Sequence, residues 1–233
     1  MRGAIFDLDG TLADTAGDLL AAANEVLAPR GLPLLTVADR PVAGRGGREM
    51  IRRSLAIAGR PDDTPEALAL IDGMYPDLLD AYETRIAHET TLFEGAEAAV
   101  DALAAGGWRI GICTNKPERL ALLLIDALGV RERFSAILGA DTLHVRKPDP
   151  EHFFETARRI GADPARSVMI GDTLTDLTTA RRAGVPCVLT GFGFAAEPLA
   201  ELAPDAIVAH FDELPPVLER LCPAEATAAR AAT

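Results

Sequence analysis

The chain has 233 residues, of which 48% are hydrophobic, and a formal net charge of −12 at pH 7, a composition typical of a folded, acidic protein. An acidic surface repels nucleic acid and anionic membranes, and no apolar run approaches the roughly 18 residues that span a bilayer. Because it also has no signal-peptide pattern and no metal-site or redox spacing of its cysteines, we expect a cytoplasmic protein that binds neither nucleic acid nor membrane.

The first predicted elements are one short strand and a long helical segment. The apolar run Gly3–Phe6 predicts a buried β-strand. From about Asp14 to Ala87 we find no convincing strand, and the predicted helices there are Asp18–Leu27, Arg48–Ile57 and Pro65–Glu83. A crossover between parallel strands needs only about a dozen residues, so the surplus indicates an inserted domain. We expect residues 14–87 to form a helical cap over the C-terminal edge of a sheet, where open α/β sheets bind ligands.

The rest of the chain alternates between strands and helices. The further predicted strands are Trp108–Cys113, Ala136–Leu138, Val168–Ile170, Val185–Leu189 and Ala206–Val208. The predicted helices are Gly95–Ala105, Pro117–Leu128, Pro150–Ile160 and Thr175–Ala183. This alternation is typical of a parallel sheet covered by helices on both faces. We therefore predict an α/β fold: a Rossmann-like, three-layer core of residues 1–13 and 88–222, the α-helical cap inserted in it, and a disordered tail of residues 223–233.

The first candidate site is the segment Asp7-Leu8-Asp9-Gly10-Thr11-Leu12, directly after the first predicted strand. Two carboxylates at positions i and i+2 point the same way if the backbone stays extended. Such crowded like charges are costly unless a cation or a proton neutralises them. The alternative is a polar turn, because Asp-Gly is a common turn pair. The uninterrupted segment favours a site that binds a cation.

Two further candidate sites carry groups that can bind phosphate. Thr114 and Asn115 follow Trp108–Cys113, where a hydroxyl and a backbone N–H could hold phosphate oxygens, although both are also ordinary capping residues. Lys147 and Lys116 are the only lysines among 23 basic residues. A compact ammonium suits the neutralisation of phosphate beside carboxylates, whereas the arginine fork prefers two oxygens at once. An exposed loop lysine is the alternative for Lys147.

The last candidate site is an acid pair after the strand Val168–Ile170. We predict that Asp172 ends this strand and that Asp176 lies one turn into the next helix, so that both can face one cleft. Asp172 would be a further carboxylate for a metal, and Mg²⁺ prefers carboxylates, carbonyls and water. N-capping of the helix by Asp172 is the alternative. Together the four sites, each after its own strand, are much more specific than any one of them.

These residues resemble the motifs of the haloacid dehalogenase-like phosphohydrolase superfamily, and most closely those of bacterial phosphoglycolate phosphatases. The four motifs match Asp7–Leu12, Thr114, Lys147 and Gly171–Asp176, and the likeness extends to about Leu221. The closer likeness rests on Phe6–Leu12, on Thr114-Asn115-Lys116-Pro117, and on Gly139-Ala140-Asp141-Thr142 leading into Val145–Pro150. The dehalogenases of the superfamily lack the second acid of the first motif. Since Asp9 is present, the resemblance implies phosphoryl chemistry.

The resemblance also implies a mechanism and a cofactor. The protein would hydrolyse a small phosphomonoester, with 2-phosphoglycolate the best guess, through a phosphorylated Asp7. Asp9 would protonate the leaving alkoxide and then deprotonate the attacking water. Mg²⁺ would be held by the carboxylates of Asp7 and Asp172 and the backbone carbonyl of Asp9, and Asp176 would orient Lys147 or a metal-bound water. The residues implied to bind the phosphoryl group are Thr114, Asn115 and Lys147.

The inserted helices resemble the cap of that family, with Gly44-Arg45-Gly46-Gly47 at the place of its specificity loop. We expect Arg45 to contact a carboxylate or phosphate of the substrate, because a loop between glycines could close over the site. The alternative for Arg45 is a solvated loop arginine. The neighbouring Arg48, Arg52 and Arg53 are expected to form a solvated helix face.

Three other functions share part of this pattern. A sugar phosphomutase similar to β-phosphoglucomutase has the same core and cap but must return the phosphoryl group to its sugar. A pyrophosphatase would use the same core chemistry. A non-enzymatic phospho-accepting receiver also combines acids, Mg²⁺, a hydroxyl and a lysine, but the helical insert argues against it. For the favoured phosphatase we expect a small phosphate ester as partner and a monomer or homodimer.

Overall fold

The computed structural model describes residues 1–194 and 198–224. The strands found there are β1 (Arg2–Phe6), β2 (Ala13–Asp14), β3 (Thr91–Leu92), β4 (Trp108–Cys113), β5 (Ala136–Leu138), β6 (Ser167–Gly171), β7 (Cys187–Thr190) and β8 (Ala206–Val208). Six of these form a parallel sheet in the order β5-β4-β1-β6-β7-β8, and β2 pairs with β3 in an antiparallel ribbon. Of the predicted disordered tail, all but Pro223 and Ala224 lies outside the described residues.

Helices cover both faces of the sheet. The helices of the described residues are α1 (Ala16–Leu27), α2 (Arg40–Ala43), α3 (Gly47–Ile57), α4 (Pro65–Glu83), α5 (Ala96–Ala105), α6 (Glu118–Ala127), α7 (Pro150–Arg159), α8 (Leu174–Ala183) and α9 (Leu214–Leu221), and α5 to α9 are those that pack on the sheet. Within the described ranges, none of these helices is long and apolar enough to cross a membrane.

The alternation of side chains along β1 shows how the layers form. Ala4 and Phe6 pack with residues of α5, α6 and α9, whereas Ile5 packs on the opposite face with residues of α7 and α8. Successive residues of a strand point to opposite faces, so a fully buried strand needs apolar residues throughout. The parallel sheet with helices on both faces confirms the predicted α/β, Rossmann-like fold.

Helices α1 to α4 share an apolar cluster of their own. It contains residues from each of these helices, with Leu120 and Phe194 joining from the rest of the chain. Thr64 caps the longest of the four, α4, by accepting a hydrogen bond from the backbone N–H of Ala67. The helical insert therefore packs as a unit, although two apolar side chains from outside its predicted bounds complete its interior.

The structure differs from the sequence predictions in some short elements and in one strand boundary. The ribbon of β2 and β3 was not predicted, because two-residue strands are too short to produce a periodic pattern. Helix α9 was also missed. The strand before the last acid pair ends at Gly171, so Asp172 lies one residue beyond it, and Thr173 rather than Asp172 is the N-cap of α8.

Candidate active site

The order of the strands brings distant parts of the sequence to one edge of the sheet. Strand β1 lies between β4 and β6, and Phe6 pairs with Ile112 on one side and Ile170 on the other. Parallel strands end at the same edge, where loops that follow neighbouring strands meet. Asp7 follows β1 and Thr114 follows β4, and both line one large cavity.

Three buried carboxylates meet at this edge. Asp7, Asp172 and Asp176 each offer an oxygen, and these oxygens lie within 4.8 Å of one another. Lys147 reaches the group from the loop between β5 and α7, with its Nζ 2.9 Å from Asp7 Oδ1 and 2.7 Å from Asp176 Oδ1. One ammonium cannot balance three carboxylates, so the group retains excess negative charge when all three are ionised.

Burial and neighbouring charges shift the pKa values of Asp7, Asp172 and Lys147. Burial raises the pKa of Asp7 to about 6, although the charge of Lys147 opposes this shift. Burial, together with the charges of Asp176 and Asp7, raises the pKa of Asp172 well above its usual range. Burial alone would lower the pKa of Lys147, but the charges of Asp176 and Asp7 outweigh burial and raise it. Lys147 is therefore charged at neutral pH, and the carboxylates lack sufficient counter-charge.

The donors in this group fit a divalent cation. Carboxylate oxygens are the ligands that hard cations such as Mg²⁺ prefer. Asp7 Oδ1 is buried and lies 2.9 Å from Lys147 Nζ, and no other described residue donates a hydrogen bond to it. A cation bound here would supply the missing positive charge. The acid group also includes the carboxylate of Asp176, which the sequence interpretation had left out of the metal ligands.

Close backbone packing holds Asp172 in place. Its Oδ2 accepts a hydrogen bond of 2.6 Å from the backbone N–H of Phe194, and its Oδ1 accepts one of 3.2 Å from the Thr11 hydroxyl. At Gly10, which has a φ of 80°, a Cβ atom would lie 2.3 Å from Asp172 Oδ2. Glycine is required there both by the left-handed backbone and by the lack of space.

The carboxylate of Asp9 lies outside the acid group. Its Oδ1 lies 2.7 Å from Lys116 Nζ and 2.7 Å from the Thr15 hydroxyl, and both donate hydrogen bonds to it. The expectation from the residues alone that the carboxylates of Asp7 and Asp9 share a cation is therefore not met, because Lys116 pairs with the Asp9 carboxylate; the backbone carbonyl of Asp9, which the resemblance implied as a ligand, is a separate group. The sequence analysis assigned no role to Lys116. Its rarity, as one of two lysines in the chain, was a signal that could have pointed to a role.

Thr114 and Asn115 connect the loops around the site. The Thr114 hydroxyl oxygen accepts a hydrogen bond of 3.1 Å from the backbone N–H of Lys116. The side-chain amide of Asn115 donates a hydrogen bond of 2.9 Å to the backbone carbonyl of Lys147. Asn115 thus ties the loop that carries Lys147 to the loop after β4.

Asp7 and Lys147 open into a cavity of about 770 Å³ between the sheet edge and the helical insert. From the insert, the cavity is lined by residues that include Arg45, Arg48, Tyr75 and Tyr82. The Arg48 guanidinium lies 3.7 Å from the centroid of the Tyr75 ring and forms an ion pair with Asp72. Arg45, which was expected to contact substrate, therefore lies on the wall of the same cavity as Asp7.

The other two arginines of the predicted solvated face form ion pairs. Arg52 pairs with Glu49 at 3.1 Å, and Arg53 pairs with Asp39 at 2.8 Å. Neither is among the residues that line the cavity in the described part of the chain. Arg48 is 44% exposed, as expected of a solvated face, but unlike the other two it also stacks on an aromatic ring at the cavity.

Comparison with known proteins places the chain in a family. Residues 4–190 match the family described as haloacid dehalogenase-like hydrolase. The chain is 40% identical to the phosphoglycolate phosphatase of Caulobacter vibrioides, over 95% of this chain and 94% of that protein. It is 42% identical to the phosphoglycolate phosphatase of Mesorhizobium japonicum, over 90% of this chain and 91% of that protein.

The fold matches solved structures over almost its whole length. The crystal structure of a predicted phosphoglycolate phosphatase from Haemophilus somnus superimposes with a TM-score of 0.81 at 25% identity. That match covers 92% of this chain and 96% of the other. Sequence and fold agree, and the chain belongs to the haloacid dehalogenase-like hydrolase family.

Proposed function

We propose that this protein is a Mg²⁺-dependent phosphatase that converts 2-phosphoglycolate to glycolate and phosphate through a phosphorylated Asp7. The observation that carries the proposal is the buried group of Asp7, Asp172 and Asp176, paired with Lys147, of which Asp7 and Lys147 line a cavity of about 770 Å³. The phosphoglycolate phosphatases that are about 40% identical over most of their length support the choice of substrate.

In the first half-reaction, a carboxylate oxygen of Asp7 attacks phosphorus. A bond forms between this oxygen and phosphorus, the bond from phosphorus to the glycolate oxygen breaks, and Asp9 gives its proton to that leaving oxygen. The Thr114 hydroxyl and the backbone N–H of Asn115 hold phosphoryl oxygens in this proposal. The Lys147 ammonium, 2.9 Å from Asp7, offsets the repulsion between the nucleophile and the phosphate dianion.

In the second half-reaction, water hydrolyses the phosphorylated Asp7. Asp9 removes a proton from the water, the oxygen of the water bonds to phosphorus, and the bond to the Asp7 oxygen breaks. Both aspartates return to their starting states. The ligands that we propose for Mg²⁺ are the carboxylates of Asp7 and Asp172 and the backbone carbonyl of Asp9. When bound, the ion supplies positive charge that balances the phosphoryl oxygens in the transition state.

We also propose a division of labour between two domains. Residues 1–13 and 88–222 form the catalytic core, and residues 14–87 form the cap that selects the substrate. The separate apolar cluster of α1 to α4 supports this division. The contribution of Arg45, Arg48 and Tyr75 to the cavity wall supports a role of the cap in substrate choice.

The test of the proposed function is release of inorganic phosphate and glycolate from 2-phosphoglycolate. With Mg²⁺ we expect turnover, and with a chelator we expect the rate to fall at least about a hundredfold, because the charge on the phosphoryl group is no longer balanced. Adding Mg²⁺ back in excess should restore the rate. Turnover that is unchanged in chelator, or phosphate that moves within a sugar phosphate without release, would contradict the proposal.

Replacing Arg45 with alanine tests substrate selection. If Arg45 binds the carboxylate of 2-phosphoglycolate, kcat/KM for this substrate should fall about tenfold to a hundredfold, the effect of losing one charged hydrogen bond. The value for phenyl phosphate, which has no carboxylate, should change little. Arg60→Ala is the matched control, because Arg60 is an exposed arginine of the same domain outside the cavity lining. An unchanged kcat/KM for 2-phosphoglycolate would refute this role of Arg45.

A further inference from the structure

Lys116 is a buried lysine whose charge is directed at Asp9. Its side chain is only 4% exposed, and its Nζ lies 2.7 Å from Asp9 Oδ1. Burial alone would lower the pKa of Lys116, but the negative charge of Asp9 outweighs burial and raises it above its usual range. Lys116 therefore carries a positive charge at neutral pH, and this charge is separate from that of Lys147 in the acid group.

The two side-chain hydrogen bonds to Asp9 are concentrated on one of its oxygens. Lys116 and Thr15 both donate to Oδ1, each at 2.7 Å. An ammonium has only protons to donate, so the oxygen that faces Lys116 is poorly suited to hold a proton of its own. A protonated Asp9 would thus keep Oδ1 as the acceptor and carry its proton on Oδ2.

Tyr82 of α4 shields this ion pair from the cap side. Lys116 Nζ lies 4.3 Å from the centroid of the Tyr82 ring, and the tyrosine is 1% exposed. A cation over the face of an aromatic ring is attracted to it, most strongly where water is excluded. Asp9 is therefore held in its orientation by Lys116 of the loop after β4, and Lys116 in turn contacts a helix of the insert.

We propose that Lys116 is a positioning residue for proton transfer by Asp9: by binding Oδ1, it presents Oδ2 to the leaving oxygen. The inference rests on the proposed function, in which the bond from phosphorus to the leaving oxygen breaks as Asp7 bonds to phosphorus. In that step the proton moves from Asp9 Oδ2 to the leaving oxygen. Lys116 itself neither gives nor takes a proton.

The test uses a series of substituted phenyl phosphates whose phenols differ in pKa. For each, kcat/KM reports the steps up to release of the phenol, which include protonation of the leaving oxygen. In Lys116→Met we expect kcat/KM to depend more steeply on the pKa of the phenol than in the wild type. Phenyl phosphate should lose about a hundredfold, the usual size of general acid catalysis, and nitrophenyl phosphate, whose phenolate leaves without a proton, should lose much less.

Three variants serve as references. In Asp9→Asn, kcat/KM should depend steeply on the pKa of the phenol. In Lys116→Arg, which keeps a cation, this dependence should be closer to that of the wild type. Arg119→Met is the matched control: Arg119 also joins the core to the insert, through an ion pair with Glu83. We expect Arg119→Met to keep the wild-type slope. If Lys116→Met does not fold, Lys116→Leu, which likewise removes the hydrogen-bond donor to Asp9, gives the same comparison.

The outcomes separate this inference from the proposed function. If Lys116→Met lowered kcat/KM by the same factor for all phenyl phosphates, while Asp9→Asn made kcat/KM depend steeply on the pKa of the phenol, only the role of Lys116 would be overturned. A wild-type slope in Asp9→Asn would overturn the proposed role of Asp9 and this inference with it. Because phenyl phosphates carry no carboxylate, a direct contact between Lys116 and the carboxylate of 2-phosphoglycolate cannot produce the change in slope.

Discussion

Replacing Asp7 with asparagine is expected to reduce kcat at least about ten-thousandfold, because the amide cannot form the acyl phosphate through which the reaction passes. The folded state should persist. Burial raises the pKa of Asp7 to about 6, which means that the fold disfavours the ionised carboxylate, and a neutral amide of the same size removes that cost. In the absence of divalent ions, we expect the variant to unfold at a urea concentration no lower than the wild type.

The measurement is phosphate release from 2-phosphoglycolate, with the mass of the intact protein checked to exclude deamidation back to aspartate. Asp126→Asn is the matched control, because it makes the same change at an exposed position of α6. We expect this control to keep the wild-type rate. Full activity of Asp7→Asn, with the asparagine verified, would show that Asp7 is not the nucleophile.

Replacing Lys147 with methionine is expected to cost about 3–5 kcal/mol of the free energy of unfolding at neutral pH. Lys147 is 1% exposed and is paired with Asp7 and Asp176, so its loss leaves buried carboxylates without their counter-charge. Urea unfolding in the presence of a chelator measures the effect. Phosphate release should also fall, since the nucleophile then meets the phosphate dianion without this cation.

The loss of stability in Lys147→Met should shrink as the pH falls. The pKa of Asp7 is about 6 in the folded protein and 3.8 as its ordinary value, so the folded state binds the proton more tightly than the unfolded chain. Without Lys147 the difference between the folded and the ordinary pKa of Asp7 grows, and protonation of Asp7 removes its buried negative charge. We expect the gap to the wild type to narrow as the pH falls toward about 6 and to level off below it, where Asp7 is protonated in both folded proteins.

Arg133→Met is the control for the stability measurement. Arg133 pairs with Asp101 at 2.9 Å and with Glu97 at 3.2 Å on the surface, where each exposed ion pair is worth no more than about 1 kcal/mol. Its loss should therefore be small and nearly independent of pH over the same range. If Lys147→Met were as stable as the wild type at neutral pH, the buried carboxylates would not depend on Lys147 for their counter-charge.

The sequence was sufficient to predict the fold class and the family. Helix and strand periods are local properties of the chain, and the apolar runs of β1, β4 and β6 leave a signal that needs no knowledge of distant residues. Prediction failed where the signal is short, as in the ribbon of β2 and β3, whose strands have two residues each. The candidate site residues could be proposed because parallel strands end at one edge, which follows from topology alone.

Only the tertiary structure decided how the charged side chains are paired. Lys116 and Asp9 are separated by 107 positions, and nothing in either local pattern indicates their contact. The hydrogen bond from Phe194 to Asp172 depends equally on a loop that has no periodicity, whereas Asp176 lies in α8 and was already expected to face the same cleft as Asp172. Local sequence determines which elements form, whereas the order of strands and the paths of the loops determine which charges meet in the buried site, where each needs a partner.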